Sequence, residues 1–161
     1  MYVIDTATLI DLHRHFAHDK VRKALVRLVS QGELVVPEGV RREIERKTDA
    51  ASKTLQKLAR TKPNCIVHFS SNRLRAGLAR IEKVYGHRIR IGNQCYPGFW
   101  QSASGRKAAD GQVVAVAKDL GGTAVSDDKA IQRACLCENV PCIGWTEFAR
   151  VCVLVRQGKL F

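Results

Sequence analysis

The sequence predicts an α/β protein, a three-layer α/β/α sandwich on a short-stranded, mainly parallel sheet. Apolar runs of only three to five residues, such as Leu34-Val35-Val36, alternate with longer segments whose apolar side chains recur at helical spacing. Strands that short, separated by helices, point to a parallel sheet covered on both faces. A chain of 161 residues, 45% hydrophobic, suffices for one ordinary domain over 1–161 with a real core. No internal repeat or low-complexity tract interrupts it.

Residues 3–5 read as the first strand. Residues 8–16 and 20–31 read as helices, the second with Val21, Leu25, Leu28 and Val29 on one face. Leu34-Val35-Val36 is a second strand closed by Pro37, and from Glu38 a long basic amphipathic helix runs toward Arg60, with Pro63 beyond it. Residues 65–69 are a strand or a buried link, and 72–84 a helix with Leu74, Leu78 and Ile81 on one face. Over 85–106 the apolar periodicity disappears and Gly86, Gly92, Pro97, Gly98 and Gly105 accumulate, which predicts an irregular loop carrying Arg88, Arg90, Tyr96, Phe99 and Trp100. Residues 109–120 form a small-residue helix with Val113, Val114, Val116 and Ala117, ended by Gly121-Gly122 because glycine tolerates the left-handed conformation of a helix C-terminus. A strand at 123–126, a helix at 129–138 and a last strand at 141–144 follow, and a terminal helix carries Phe148, Val151, Val155 and Leu160.

Lysine and arginine number 27 against 15 acids, a net charge of +12. An excess of that size attracts polyanions, so nucleic acid leads the expected partners. An anionic membrane surface fits less well, since it calls for a basic amphipathic helix with exposed aromatics and aromatics are only 6% of the chain. No apolar run is long enough for a membrane span and no secretory leader is recognisable, so the cytoplasm is expected. The cysteines Cys65, Cys95, Cys135, Cys137, Cys142 and Cys152 are then expected as reduced thiols, and the spacing of Cys135, Cys137 and Cys142 lacks the fourth ligand of a structural zinc site.

In a parallel α/β sheet ligands bind outside the carboxyl ends of the strands. Asp5 follows the first strand, Glu43 lies in the helix after the second, Asp110 opens the helix beyond the basic loop, and Asp127 and Asp128 follow the strand at 123–126. Converging carboxylates repel unless a cation compensates, and oxygen-only ligands suit Mg²⁺ or Mn²⁺. Such a metal in a basic protein predicts phosphodiester hydrolysis, with water activated at the ion and the phosphate chain held by surrounding cations. Each acid also has an ordinary use. Asp5 and Asp110 suit helix starts, Glu43 can pair with Lys47, and Asp127 and Asp128 suit a turn.

The stretches YVIDTATLIDL, VVPEGVRREIE, KAADGQVVAVAKDLGGTAVSDDKAI and VPCIGWTEF together resemble the PIN domain, the fold of VapC-type toxin ribonucleases and related RNA-processing nucleases. The resemblance implies that Asp5, Glu43, Asp110 and Asp128 are catalytic and, with Asp127 as a neighbour able to assist, hold the metal. It sets Ser126 at the family's hydroxyl position, and Thr6 and Ser126 would orient ligand carboxylates or revert to ordinary capping. It further implies an RNA substrate, a possible antitoxin protein and a possible homodimer. The loop at 85–106 is longer than in the simplest toxins, and the end IGWTEFARVCVLVRQGKLF looks like a side branch of the superfamily.

Arg41, Arg42, Arg88 and Arg90 are candidate phosphate contacts or solvated faces, and Trp100 and Phe99 either stack on bases or pack the loop down. The five histidines show no nucleophile partnership. A haloacid-dehalogenase-type phosphotransferase would need a second acid two residues after Asp5, where Ala7 stands. The stronger rival is a non-catalytic module on the same fold that binds RNA or a protein.

Overall fold

The computed structural model describes residues 1–101 and 109–154. Its central strand is β1 (Tyr2–Ile4), where Val3 and Ile4 are fully buried. A short apolar strand flanked on both edges and covered on both faces needs no polar alternation. β1 pairs in parallel with β2 (Leu34–Pro37) on one side and β6 (Thr123–Val125) on the other, in the registers Val3↔Val35 and Val3↔Ala124. Outside these lie β3 (Ile66–Val67) and β7 (Cys142–Ile143), giving the parallel order β3-β2-β1-β6-β7. All strand ends that carry acids therefore face one edge.

On one face lie α1 (Thr6–His15), α2 (His18–Ser30), α3 (Glu38–Glu45), α4 (Ala50–Thr61) and α8 (Trp145–Val151). On the other, α6 (Asp110–Leu120) packs on the sheet between α5 (Asn72–Tyr85) and α7 (Lys129–Glu138). Small side chains let α6 sit close against the strands. Its Val113, Val114, Val116 and Ala117 are fully buried, and each methylene so removed from water contributes about 0.8 kcal/mol.

The expected long helix from Glu38 to Arg60 is two helices. Asp49 accepts a hydrogen bond from the Ser52 backbone N–H (2.9 Å) and caps a new start. A straight rod over 38–60 would reach about 35 Å and overshoot the sheet, whereas the break lets α4 turn back onto α1 and α2.

The expected loop at 85–106 contains an antiparallel hairpin, β4 (Arg88–Ile91) with β5 (Gln94–Pro97), followed by a 3-10 turn at Phe99–Gln101. Arg-Ile-Arg-Ile alternates, burying Ile89 and exposing the arginines, and Gly92-Asn93 supplies a two-residue turn with Gly92 at φ +58°. Residues 102–106 of the expected loop, and Val155 and Leu160 of the expected terminal helix, lie outside the described residues.

The layer α5–α6–α7 is tied by one acid. Glu138 of α7 takes hydrogen bonds from Arg80 (2.7 and 3.0 Å), from the Tyr85 hydroxyl (2.6 Å) and from the Lys118 ammonium. The Arg80 guanidinium, with Lys118 and Tyr85 assisting, holds the Glu138 carboxyl down to about 2. Among the described residues no helix is long and apolar enough to cross a membrane, and the six cysteines are free thiols.

Candidate active site

Asp5 ends the central strand and is 4% exposed. One carboxylate oxygen accepts from the Thr8 backbone N–H (2.7 Å), capping α1, and the other accepts from the Ser126 hydroxyl at the end of β6. Burial pushes the Asp5 carboxyl up, while the Ser126 and Thr8 hydrogen bonds oppose the rise. Capping and membership of a site are thus one arrangement here. The cap fixes the carboxylate at the strand end, and Ser126 joins two adjacent strands through it.

Ser126 also accepts from the backbone N–H of Asp128 (3.0 Å) and so shapes the turn into α7. Asp128, the exposed N-cap of that helix, accepts from the backbone of Ala130 (2.8 Å) and Ile131 (3.0 Å). Glu43 bridges two other elements. Thr6 at the start of α1 donates to it, and the Ala109 backbone N–H at the start of α6 donates at 2.8 Å. Glu43 thereby positions Asp110, the first residue of α6.

Asp110 feels the charges of the other three acids. Burial pushes its carboxyl up to about 7, with the charges of Asp128, Glu43 and Asp5 adding to the rise. Three residues far apart in the chain lie within electrostatic reach of it, and no described cation acts in the opposite direction. An all-oxygen set of mutually repelling carboxylates has the donor chemistry of a hard divalent cation. As the side chains stand, however, no group of three or more His, Cys, Asp and Glu among the described residues is arranged to hold a metal ion.

Asp127 has a backbone partner of its own. Its carboxylate accepts from the Trp145 backbone N–H (2.8 Å) and lies against Gly144, where a Cβ would come within 2.5 Å of it, so it secures the start of α8. Adjacent residues leaving a strand point to opposite sides, which separates Asp127 from Asp128.

The expected RNA contacts are placed less favourably. Arg41 pairs with Glu45 (2.8 Å) and Arg42 with Glu38 (3.1 Å), both along α3. Arg88 and Arg90 are exposed on the hairpin and line a cavity of about 490 Å³ with Tyr85, Cys95 and Cys137. Phe99 is 1% exposed against Tyr85, which removes it from any base-stacking role. Trp100 is half-buried beside Gly86 with its ring edge-on to His87 at 4.8 Å, so it packs the segment down.

Three supporting residues escape the motif reading. Thr8 donates its hydroxyl to the Val125 carbonyl (3.2 Å), Gln132 donates to the Ser126 carbonyl (3.1 Å), and Gln112 accepts from the Gly39 backbone N–H (2.8 Å). Gln112 also fills the space a Cβ at position 39 would need. Only their offsets from the acids, three after Asp5, four after Asp128 and two after Asp110, signal them in the sequence.

A family model described as a domain of unknown function (DUF4411) matches residues 2–152, a span that includes every strand and helix above. No curated protein and no solved structure matches the chain.

Proposed function

We propose that this chain, which belongs to the family described as a domain of unknown function (DUF4411), is a metal-dependent endoribonuclease of the PIN type that acts in the cytoplasm as the toxin of a toxin–antitoxin pair. The observation that carries the reading is the convergence of Asp5, Glu43, Asp110 and Asp128 on one sheet edge, expressed in the raised Asp110 carboxyl. A net charge of +12 supplies the long-range attraction for a phosphate chain around that negative centre.

In this reading Asp5, Glu43, Asp110 and Asp128 hold Mg²⁺ or Mn²⁺. When bound, the ion polarises a phosphodiester and lowers the pKa of a water beside it. The chain's own groups do the positioning. Ser126 orients Asp5, Thr6 and the Ala109 backbone orient Glu43, and the N-terminus of α6 brings Asp110 to the centre. Asp127, held by the Trp145 backbone N–H, is the neighbour able to assist.

One observation favours a second reading, a non-catalytic module that binds RNA or a protein partner. Asp5, Glu43 and Asp128 already spend carboxylate oxygens on hydrogen bonds within the protein, and the described side chains do not close a three-ligand shell.

The test is cleavage of mixed RNA substrates with Mg²⁺ or Mn²⁺, with EDTA, and with Asp5→Asn and Asp128→Asn. Asparagine also caps helices, so both variants keep their turns. The nuclease reading expects metal-dependent cleavage that falls about a hundredfold or more in each variant. Unchanged cleavage in both would remove these residues from the mechanism, and RNA binding without cleavage under any metal would establish the second reading.

A further inference from the structure

We propose that the groove between α2 and α4 is a binding track for the phosphate backbone of single-stranded RNA. The inference rests on RNA being the substrate but concerns a different surface. Basic residues line both walls of the groove. His18 and Arg22, one turn apart on α2, face Lys53, Lys57 and Arg60 on α4 across a cavity of about 610 Å³. The α4 residues lie at i, i+4 and i+7 and form one row about 10 Å long.

Charge and topology favour this occupant. Arg22 pairs with Asp19 (2.7 Å), whereas Lys53, Lys57 and Arg60 form no ion pair among the described residues. No acid lines the groove. No Phe, Tyr or Trp lines it either, so it offers nothing on which bases stack and reads the backbone without regard to sequence.

The helices that wall the groove share one direction. α2 runs to the start of β2, and α4 runs to the turn before β3. Their far ends meet at a second cavity that Ser30, Leu34, Thr61 and Lys62 line together with Met1. The helices therefore run side by side in one direction, and the row Lys53, Lys57 and Arg60 lies along the track between them.

The experiment measures binding of a labelled, mixed-sequence single-stranded RNA of about 16 nucleotides in EDTA, where no metal-dependent cleavage occurs. Lys53→Glu/Lys57→Glu is compared with Arg75→Glu/Lys83→Glu, which makes the same charge change on α5 in the opposite layer; circular dichroism and melting confirm that both fold. The groove variant is expected to bind about tenfold more weakly, with a log–log salt slope shallower by about 1.4, and the α5 variant to lose less than about threefold. Equal losses would assign the affinity to net charge alone and overturn the proposal. So would unchanged binding in the groove variant, absence of RNA binding by the parent, or binding of polyglutamate in place of RNA, which would make the groove a protein-docking surface. Groove-dependent binding without cleavage leaves this inference standing and removes the nuclease reading; cleavage with groove-independent binding does the reverse.

Discussion

Two acids of the layer around α6, Asp110 and Glu138, are driven in opposite directions. At the amino end of that helix, Asp110 meets Asp5, Glu43 and Asp128, and its carboxyl rises to about 7. At the carboxyl end of the neighbouring α7, Glu138 meets Arg80, Lys118 and Tyr85, and its carboxyl falls to about 2. Burial raises both, so the sign is set by the company each acid keeps. The Glu138 group is complete in itself and holds three helices together. The Asp110 group also does structural work, with Asp5 and Asp128 capping helices, yet the burial and the charges around Asp110 all push its carboxyl the same way, up.

The largest expected effect separates the two groups by activity. Asp110→Asn removes one of the repelling charges; RNA cleavage should fall about 10²–10³-fold while the metal-free protein melts higher. A variant that lost neither activity nor repulsion would break the contrast. Next in size, Mn²⁺ at about a hundred times its Kd should stabilise the parent by about 2.7 kcal/mol at neutral pH, read as a rise in Tm, and should do much less for Asp110→Asn.

Glu138→Ala should act the other way, lowering stability by about 2 kcal/mol because Tyr85 loses its acceptor and the half-exposed Arg80 and Lys118 lose their partner. Its Tm should drop by about 4–8 °C, with cleavage by the folded fraction retained.

The smallest effect is a curve shape. The Asp110 carboxyl is raised from its ordinary 3.8, so its penalty is fully present above pH 7 and is relieved as pH falls toward 4. Glu138 is depressed from its ordinary 4.5, so its contribution is present above that pH and is lost as pH falls toward 2. Melting of the metal-free protein should therefore improve from pH 8 to about 5 and worsen below about 4.5. Asp110→Asn should flatten the first limb and Glu138→Gln the second.

The sheet and the acid edge were legible because short apolar runs alternate with helical segments, the first ending at Asp5 and the second at Pro37, and a parallel sheet aligns those ends. Asp5 follows β1, Glu43 lies in α3, Asp110 opens α6 and Asp128 precedes α7, the element positions expected of them. The break before α4 was obscured because a continuous basic pattern hides the single capping residue Asp49. The hairpin was obscured because glycines and prolines around it outweigh four alternating residues, although Gly92-Asn93 was visible. Asp127 could not be separated from Asp128 without the turn that aims one at Trp145 and the other at α7. The Glu138 group draws on residues 80, 85 and 118 and has no local signal.

Because β1 is the middle strand, its neighbour on one side is 121 positions further along the chain, Val3 waiting for Ala124. During synthesis at about 5–20 residues per second, that partner leaves the ribosome roughly 6–24 s after β1 has been made. A nascent chain therefore spends most of its birth with Asp5 tethered to no second strand and Asp128 not yet translated. Whatever the four acids do together, an unfinished copy cannot do it.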